Sequence, residues 1–148
     1  MSTSYVEFHG NGFWCPDTLL EVFACLVGSE LQADSPGSLA SYGVELAGKA
    51  RAGLVGCFDL RLDSLSKQHL ARLEETSVAI LIKIEGEPSL LSAGELNKLR
   101  VGRFDSDIPV RQLAALVHVV RELLHERWNF DAADTQALPS RWLNLDLT

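Results

Sequence analysis

The sequence predicts an all-α fold, a single domain over residues 1–148 built as a bundle of about five helices. Three observations predict it. Apolar residues recur at helical spacing in three long stretches, near residues 17–32, 37–54 and 107–127. Helix-starting residues open these and a shorter stretch: Pro16-Asp17, Asp34-Ser-Pro-Gly, Ser92 and Asp107-Ile-Pro109. Hydrophobic residues make up 47% and charged residues 22% of the 148, a composition that sustains one core and argues against disorder.

Taken in order, Tyr5-Val-Glu-Phe-His9 alternates as a short strand or extended arm, and Gly10-Asn-Gly12 breaks the chain. Pro16 and Asp17 suit the first turn of a helix, where proline's missing N–H costs nothing and a carboxylate meets the helix dipole. Leu19, Val22, Phe23, Leu26 and Val27 form its apolar stripe to about Gln32. Asp17, Glu21, Gly28 and Gln32 fall on another face. After the Asp34-Ser-Pro-Gly turn, Leu39, Tyr42, Gly43, Leu46, Ala47, Ala50 and Leu54 keep helical spacing. Gly43, Ala47, Ala50 and Gly53 make part of this stripe small, so a neighbouring helix can approach closely. We expect this to be the central helix.

Residues 63–86 carry two patterns. Leu62, Leu70, Leu73, Leu81 and Ile84 share a helical face, with Asp63 as a cap. Val78, Ile80, Ile82 and Ile84 also alternate as a strand would. An isolated strand pair is marginal, so helix is favoured. The alternative is an α+β fold with a minor two-stranded sheet from residues 4–9 and 77–84. Ser92-Ala-Gly-Glu95 has capping-box spacing and starts a short helix to Leu99. The last strong helix is striped by Leu113, Leu116, Val117, Val120 and Leu124 and ends near Arg127. Beyond it, Phe130, Leu138, Trp142, Leu143, Leu145 and Leu147 predict a tail packed across the bundle.

Charge restricts the partners. The formal net charge is −7, and residues 1–48 hold six carboxylates but no Lys or Arg. Such a segment repels nucleic acid and anionic membranes, because phosphate binding needs Lys and Arg to release counterions. No apolar run reaches the ~20 residues that span a bilayer. The opening residues lack the basic start and apolar stretch of a secretory signal. Cys15, Cys25 and Cys57 include no CxxC pair and read as small reduced thiols. A cytoplasmic location is therefore expected. A basic protein is the partner that an acidic segment attracts and speeds, and Asp17, Glu21, Glu30, Asp34 and Glu45 are its candidate contacts. The plain alternative is that these residues only maintain solubility.

Catalytic and cofactor motifs fail on inspection, so no catalytic residue and no cofactor is assigned. His118, Glu122 and His125 lie at i, i+4 and i+7, and Glu122-Leu-Leu-His125 has the Glu-x-x-His spacing of carboxylate-bridged metal bundles. A second copy is missing, and the triplet lies opposite the apolar stripe beside Arg111 and Arg121. It is the one metal candidate and reads as a solvated polar face. Cys15 near a helix start, with His9 close in sequence, is the one candidate reactive thiol. No Gly-x-Ser-x-Gly elbow occurs, and Gly10-Asn-Gly12 lacks the rest of a phosphate-binding loop. Trp14, Trp128 and Trp142 near element ends read as core caps or interface anchors.

Gly12-Phe-Trp-Cys-Pro-Asp17, the acidic helix after it, Val55-Gly-Cys57 and Asp59-Leu-Arg-Leu-Asp63 together resemble small uncharacterised bacterial proteins of the toxin-immunity type. The resemblance covers about a third of the chain and implies a non-catalytic binder that plugs a toxin's active site. A small metal-binding helical enzyme is the alternative. A structural homodimer sealed along Gly43, Ala47 and Ala50 is another.

Overall fold

Val6 and Phe8 are buried and Glu7 is exposed, the alternation of a strand with one face on a core. They belong to β1 (Thr3–Phe8), which pairs antiparallel with β2 (Asn11–Pro16) in the register Val6↔Phe13 and Ser4↔Cys15. The connecting turn is His9–Gly10, with φ of 51° and 82°, and two left-handed residues are what a tight hairpin matching the strand twist requires. The structure, a computed structural model, describes residues 3–34, 37–53, 56–85, 90–101, 104, 107–127 and 141–142.

Pro16 passes directly into α1 (Asp17–Asp34). Leu19, Leu20, Val22, Phe23, Ala24, Cys25, Val27 and Leu31 are all buried. A helix buried on nearly every side belongs in the middle of a fold. It packs on α2 (Gly37–Ala52), on α3 (Lys67–Glu85), on α5 (Val110–Leu124) and on β2. The central helix is therefore α1, not the 37–54 helix expected to hold that place. Helix α2 buries Leu39, Tyr42, Leu46, Ala47 and Ala50 on one side and exposes Ser41, Val44 and Gly48 on the other. Its small residues seat it on α1. A Cβ on Gly43 would lie 2.6 Å from the Gly28 carbonyl oxygen, and one on Gly28 would lie 2.6 Å from that of Gly43.

Residues 57–61 form neither helix nor strand and end on Arg61 with φ 54°, with Phe58, Leu60 and Leu62 buried and Asp59, Arg61 and Asp63 exposed. The Phe58 N–H donates to Ser4 Oγ at 2.8 Å, and the buried Tyr42 hydroxyl donates to the Leu60 carbonyl at 2.7 Å. A single 3-10 turn, Leu62–Ser64, leads to α3. Ser66 caps α3, its hydroxyl accepting from the His69 N–H at 3.1 Å. Asp63, read as the cap, accepts instead from the His9 N–H across the fold.

Residues 77–84 lie inside α3. Leu73, Thr76, Ser77 and Ile80 are buried at helical spacing while Ile82 is 66% exposed. A strand would have placed Ile80 and Ile82 on the same face. The alternative sheet of residues 4–9 with 77–84 accordingly does not form, and segment 4–9 pairs with 11–16 instead. Ser92 caps α4 (Ala93–Lys98), accepting from the Glu95 N–H at 3.2 Å as the capping-box spacing implies. Strands β3 (Leu90–Leu91) and β4 (Ile108–Pro109) form a small antiparallel pair before α5. Asp107 accepts from the Ala93 N–H, tying this pair to the start of α4. Leu113, Leu116, Val117, Val120 and Leu123 carry the buried face of α5.

Five helices among the described residues make this a mostly α fold with minor sheet. Of the expected packed tail, residues 128–140 and 143–148 lie outside the described residues. Arg141–Trp142 forms β5, parallel to Phe13–Trp14. No helix among the described residues is long and apolar enough to cross a membrane.

Candidate functional site

Two chain reversals and the 3-10 turn that carries Asp63 meet at the hairpin tip. The turn residue His9 has φ 51°, and Glu126, which turns the chain after α5, has φ 57°. Left-handed backbone is uncommon for residues with a Cβ. Both are held by contacts distant in sequence. The His9 N–H donates to Asp63 Oδ1 at 3.0 Å, and His9 Nδ1 lies 2.8 Å from Glu126 Oε1. His9 Nε2 is 3.8 Å from Asp63 Oδ1, and the ring stacks on Phe8 with centroids 3.8 Å apart. One imidazole thus stands between carboxylates from two other elements.

Helix α3 supplies the facing wall. Lys67, Leu70, Ala71 and Glu74 repeat at i, i+3, i+4 and i+7, the spacing that places side chains on one helix face. With Phe8, His9, Leu65, Leu124, His125 and Glu126 they line a cleft of about 440 Å³, within the size range of ligand sites. Among the described residues, the lining contains no hydroxyl or thiol. Its deepest charge is Glu74, 17% exposed, which takes Arg121 Nε at 3.1 Å and His125 Nε2 at 2.8 Å. Burial pushes the Glu74 carboxyl up, but its hydrogen bonds to His125 and Arg121 outweigh this and hold it below the ordinary carboxylate value.

A carboxyl with a lowered folded-state pKa stabilises the fold above its unfolded value, and that contribution is lost as pH falls through the folded one. Glu74→Gln is therefore expected to cost about 1–2 kcal/mol at neutral pH. The difference from wild type should shrink as the pH falls below the ordinary carboxylate range, as read from urea midpoints across the acid range. A cost that stays constant with pH would mean packing, not charge, is what Glu74 supplies.

A second hollow of about 380 Å³ lies on the other side of Leu65, lined by Tyr42, Glu45, Arg61, Ser66 and His69 among others. Arg61 already pairs there with Glu45 at 2.5 Å, and Lys49 reaches the same carboxylate at 3.1 Å. The hydrogen bond from Arg61 leads the causes that hold the Glu45 carboxyl low. This acid is therefore compensated within the chain.

The other candidate partner contacts are dispersed. Asp17 is 4% exposed, its Oδ1 accepting from Ser4 Oγ at 2.5 Å and its Oδ2 from the Gly56 N–H at 2.7 Å. Glu21 is buried beside it, and burial, then the Asp17 charge, push its carboxyl up. Both face the interior, where a partner does not reach. Glu30 is half-buried, and Asp34 ends α1. At 1.5 Å rise per residue, Asp17 and Asp34 stand about 25 Å apart along one helix. Asp17, Glu21, Glu30 and Glu45 therefore form no common face.

The His118, Glu122 and His125 triplet also separates. His118 is exposed, Glu122 pairs with Arg127 at 3.0 Å, and His125 turns to Glu74. Among the described residues no group of three or more His, Cys, Asp or Glu side chains is placed to hold a metal ion. Cys15 is buried, and burial followed by the Asp17 charge pushes its thiol up to about 12, the opposite of an activated nucleophile. Its suggested partner His9 is engaged by Glu126. Gly43, Ala47 and Ala50 are buried, with Gly43 set on α1 of the same chain, so they offer no seam to a second copy.

Sequence reasoning misses Lys67, Glu74, Asp63 and Glu126 as site residues. The repeat Lys67, Leu70, Ala71, Glu74 is a visible signal; the pairing of His9 with residue 126 is not. Comparison with protein-family models, curated proteins and solved structures finds no match to this chain.

Proposed function

We propose that the chain is a non-catalytic protein-binding module that docks a basic partner over the cleft at the hairpin tip. The observation that carries this reading is the cleft itself: apolar residues from β1, α3, α5 and the turn before α3, with the carboxylates of Glu74 and Glu126 in the lining and Asp63 beside His9, against one lining lysine. Apolar contact supplies affinity in such sites, and charge supplies association rate and discrimination. A bacterial immunity protein that neutralises a toxin through its basic active-site groove is the specific case the acidic composition supports. A cytoplasmic home and a monomeric binder belong to the same reading.

The test is positional. A photo-crosslinking residue placed at Lys67 should trap one protein of the producing cell, and the same residue at the exposed Ile82 should not. Ala71 is exposed and lines the cleft, so Ala71→Arg should abolish trapping without changing the melting temperature. Equal trapping from both positions, or trapping that survives Ala71→Arg, would sink the reading.

A further inference from the structure

We infer that the cleft takes an arginine side chain of the partner, its stem against Leu65, Leu70 and Leu124 and its guanidinium at the His9 end, against the lining Glu126 and against Asp63 beside it. This deepens the protein-binding reading and rests on it. The argument is one of uncommitted acceptors. Both oxygens of Glu74 are taken, by Arg121 and His125. Asp63 and Glu126 each spend one oxygen, Oδ1 and Oε1, on His9. Their second oxygens, Oδ2 and Oε2, have no partner among the described residues, and the side chains are 54% and 62% exposed.

Both carboxylates reach the same imidazole, Glu126 at Nδ1 and Asp63 at Nε2, and so flank the His9 end of the cleft. Two neighbouring carboxylates suit a planar, forked donor better than the single point charge of an ammonium. The apolar lining suits the methylene stem that arginine carries behind its charge.

The opposite occupant, an anion with an apolar body, finds less. His9 is held by Glu126 and Asp63, and His125 by Glu74, which Arg121 also contacts. Lys67 is the one lining cation without a carboxylate partner among the described residues. Lys67 also opposes an arginine, which gives the inference a second sign to check.

The probes are three capped dipeptides, acetyl-leucyl-arginine amide and its glutamine and glutamate counterparts, titrated into the whole chain at low ionic strength. The arginine peptide should bind at least about tenfold more tightly than the glutamine peptide, and the glutamate peptide least. Asp63→Asn with Glu126→Gln keeps every acceptor that His9 uses, so the fold should hold. The double variant should weaken the arginine peptide about tenfold and leave the glutamine peptide unchanged. Lys67→Gln should tighten the arginine peptide. No binding of the arginine peptide, equal binding of the glutamine peptide, tighter binding of the glutamate peptide, or a double variant with wild-type affinity each overturns the inference. A partner trapped at Lys67 whose arginines can all be changed to glutamine without loss would refute the arginine anchor alone. Failure to trap anything at Lys67 would refute the docking reading beneath it.

Discussion

Gly43→Ala is expected to destabilise the protein by about 3 kcal/mol, the upper range for forcing atoms into a packed interior. The new Cβ would lie 2.6 Å from the Gly28 carbonyl oxygen, 2.9 Å from the Gln32 nitrogen and 3.0 Å from Leu31 Cβ. Two of these obstacles are backbone atoms of α1, so no side-chain rotation relieves the overlap. Separating the helices would disturb the most extensive helix contact in the fold. Alanine's better helix propensity returns at most about 1 kcal/mol. Gly48 supplies the internal control, because it lies on the exposed side of the same helix and an added methyl there would meet nothing within 4 Å. Gly48→Ala should therefore stabilise by up to about 1 kcal/mol. Opposite signs for two glycines on one helix, measured by urea denaturation with unchanged slope, are what the α1–α2 crossing requires. Equal effects would mean the helices do not meet at Gly28 and Gly43.

Asp17→Ala is expected to cost about 3 kcal/mol by leaving the buried Ser4 hydroxyl and the Gly56 N–H without their acceptor. Asp17 joins the hairpin, the start of α1 and the segment 56–61: Ser4 donates to one oxygen and the Gly56 N–H to the other, while Ser4 in turn accepts from the Phe58 N–H. A carboxylate in the first turn also meets the positive end of the α1 dipole. Asp17→Asn should cost less, since the amide keeps one acceptor oxygen. Amide exchange at Gly56 and Phe58 should accelerate in both variants, most in Asp17→Ala. The same segment carries Asp63 to the hairpin tip, so the cleft should loosen with it. A stable Asp17→Ala protein with unchanged exchange at those amides would show that the network is not what holds the segment.

Helices α2, α3 and α5 are legible in the sequence because each buries one face at helical spacing over several turns. Leu39, Tyr42, Leu46, Ala47 and Ala50, picked out by spacing, are all buried. The β-branched run at 78–84 resolves as helix because its context, Leu73 through Ile80, imposes one buried helical face. The second strand is hidden by its turn: Gly10-Asn-Gly12 marks a break, but the turn is His9–Gly10, with a histidine in left-handed backbone. The small face of α2 announces a close neighbour without naming it, since the same stripe suits a helix of this chain or of another copy. Its complement, Gly28, falls by spacing away from the apolar stripe of α1, where no contact is expected. Charge misleads most. Asp17 and Glu21 sit in a segment without Lys or Arg, yet their place in the first turns of a central helix buries both.

The cleft is the least legible feature. His9 and Glu126 are 117 residues apart, and His125 and Glu74 are 51 apart. Neither pair belongs to a motif, and each residue alone looks like ordinary surface. Only the meeting of the hairpin tip, the 3-10 turn and the ends of α3 and α5 gives them a common purpose.

The most direct measurement of that purpose is an amide chemical-shift map of the whole chain during titration with acetyl-leucyl-arginine amide. Binding in the cleft predicts shifts at His9, Leu65, Lys67, Leu70, Leu124 and Glu126, with Glu30 and Glu45 unmoved. Shifts centred on Glu30 and Glu45, with the cleft silent, would contradict it.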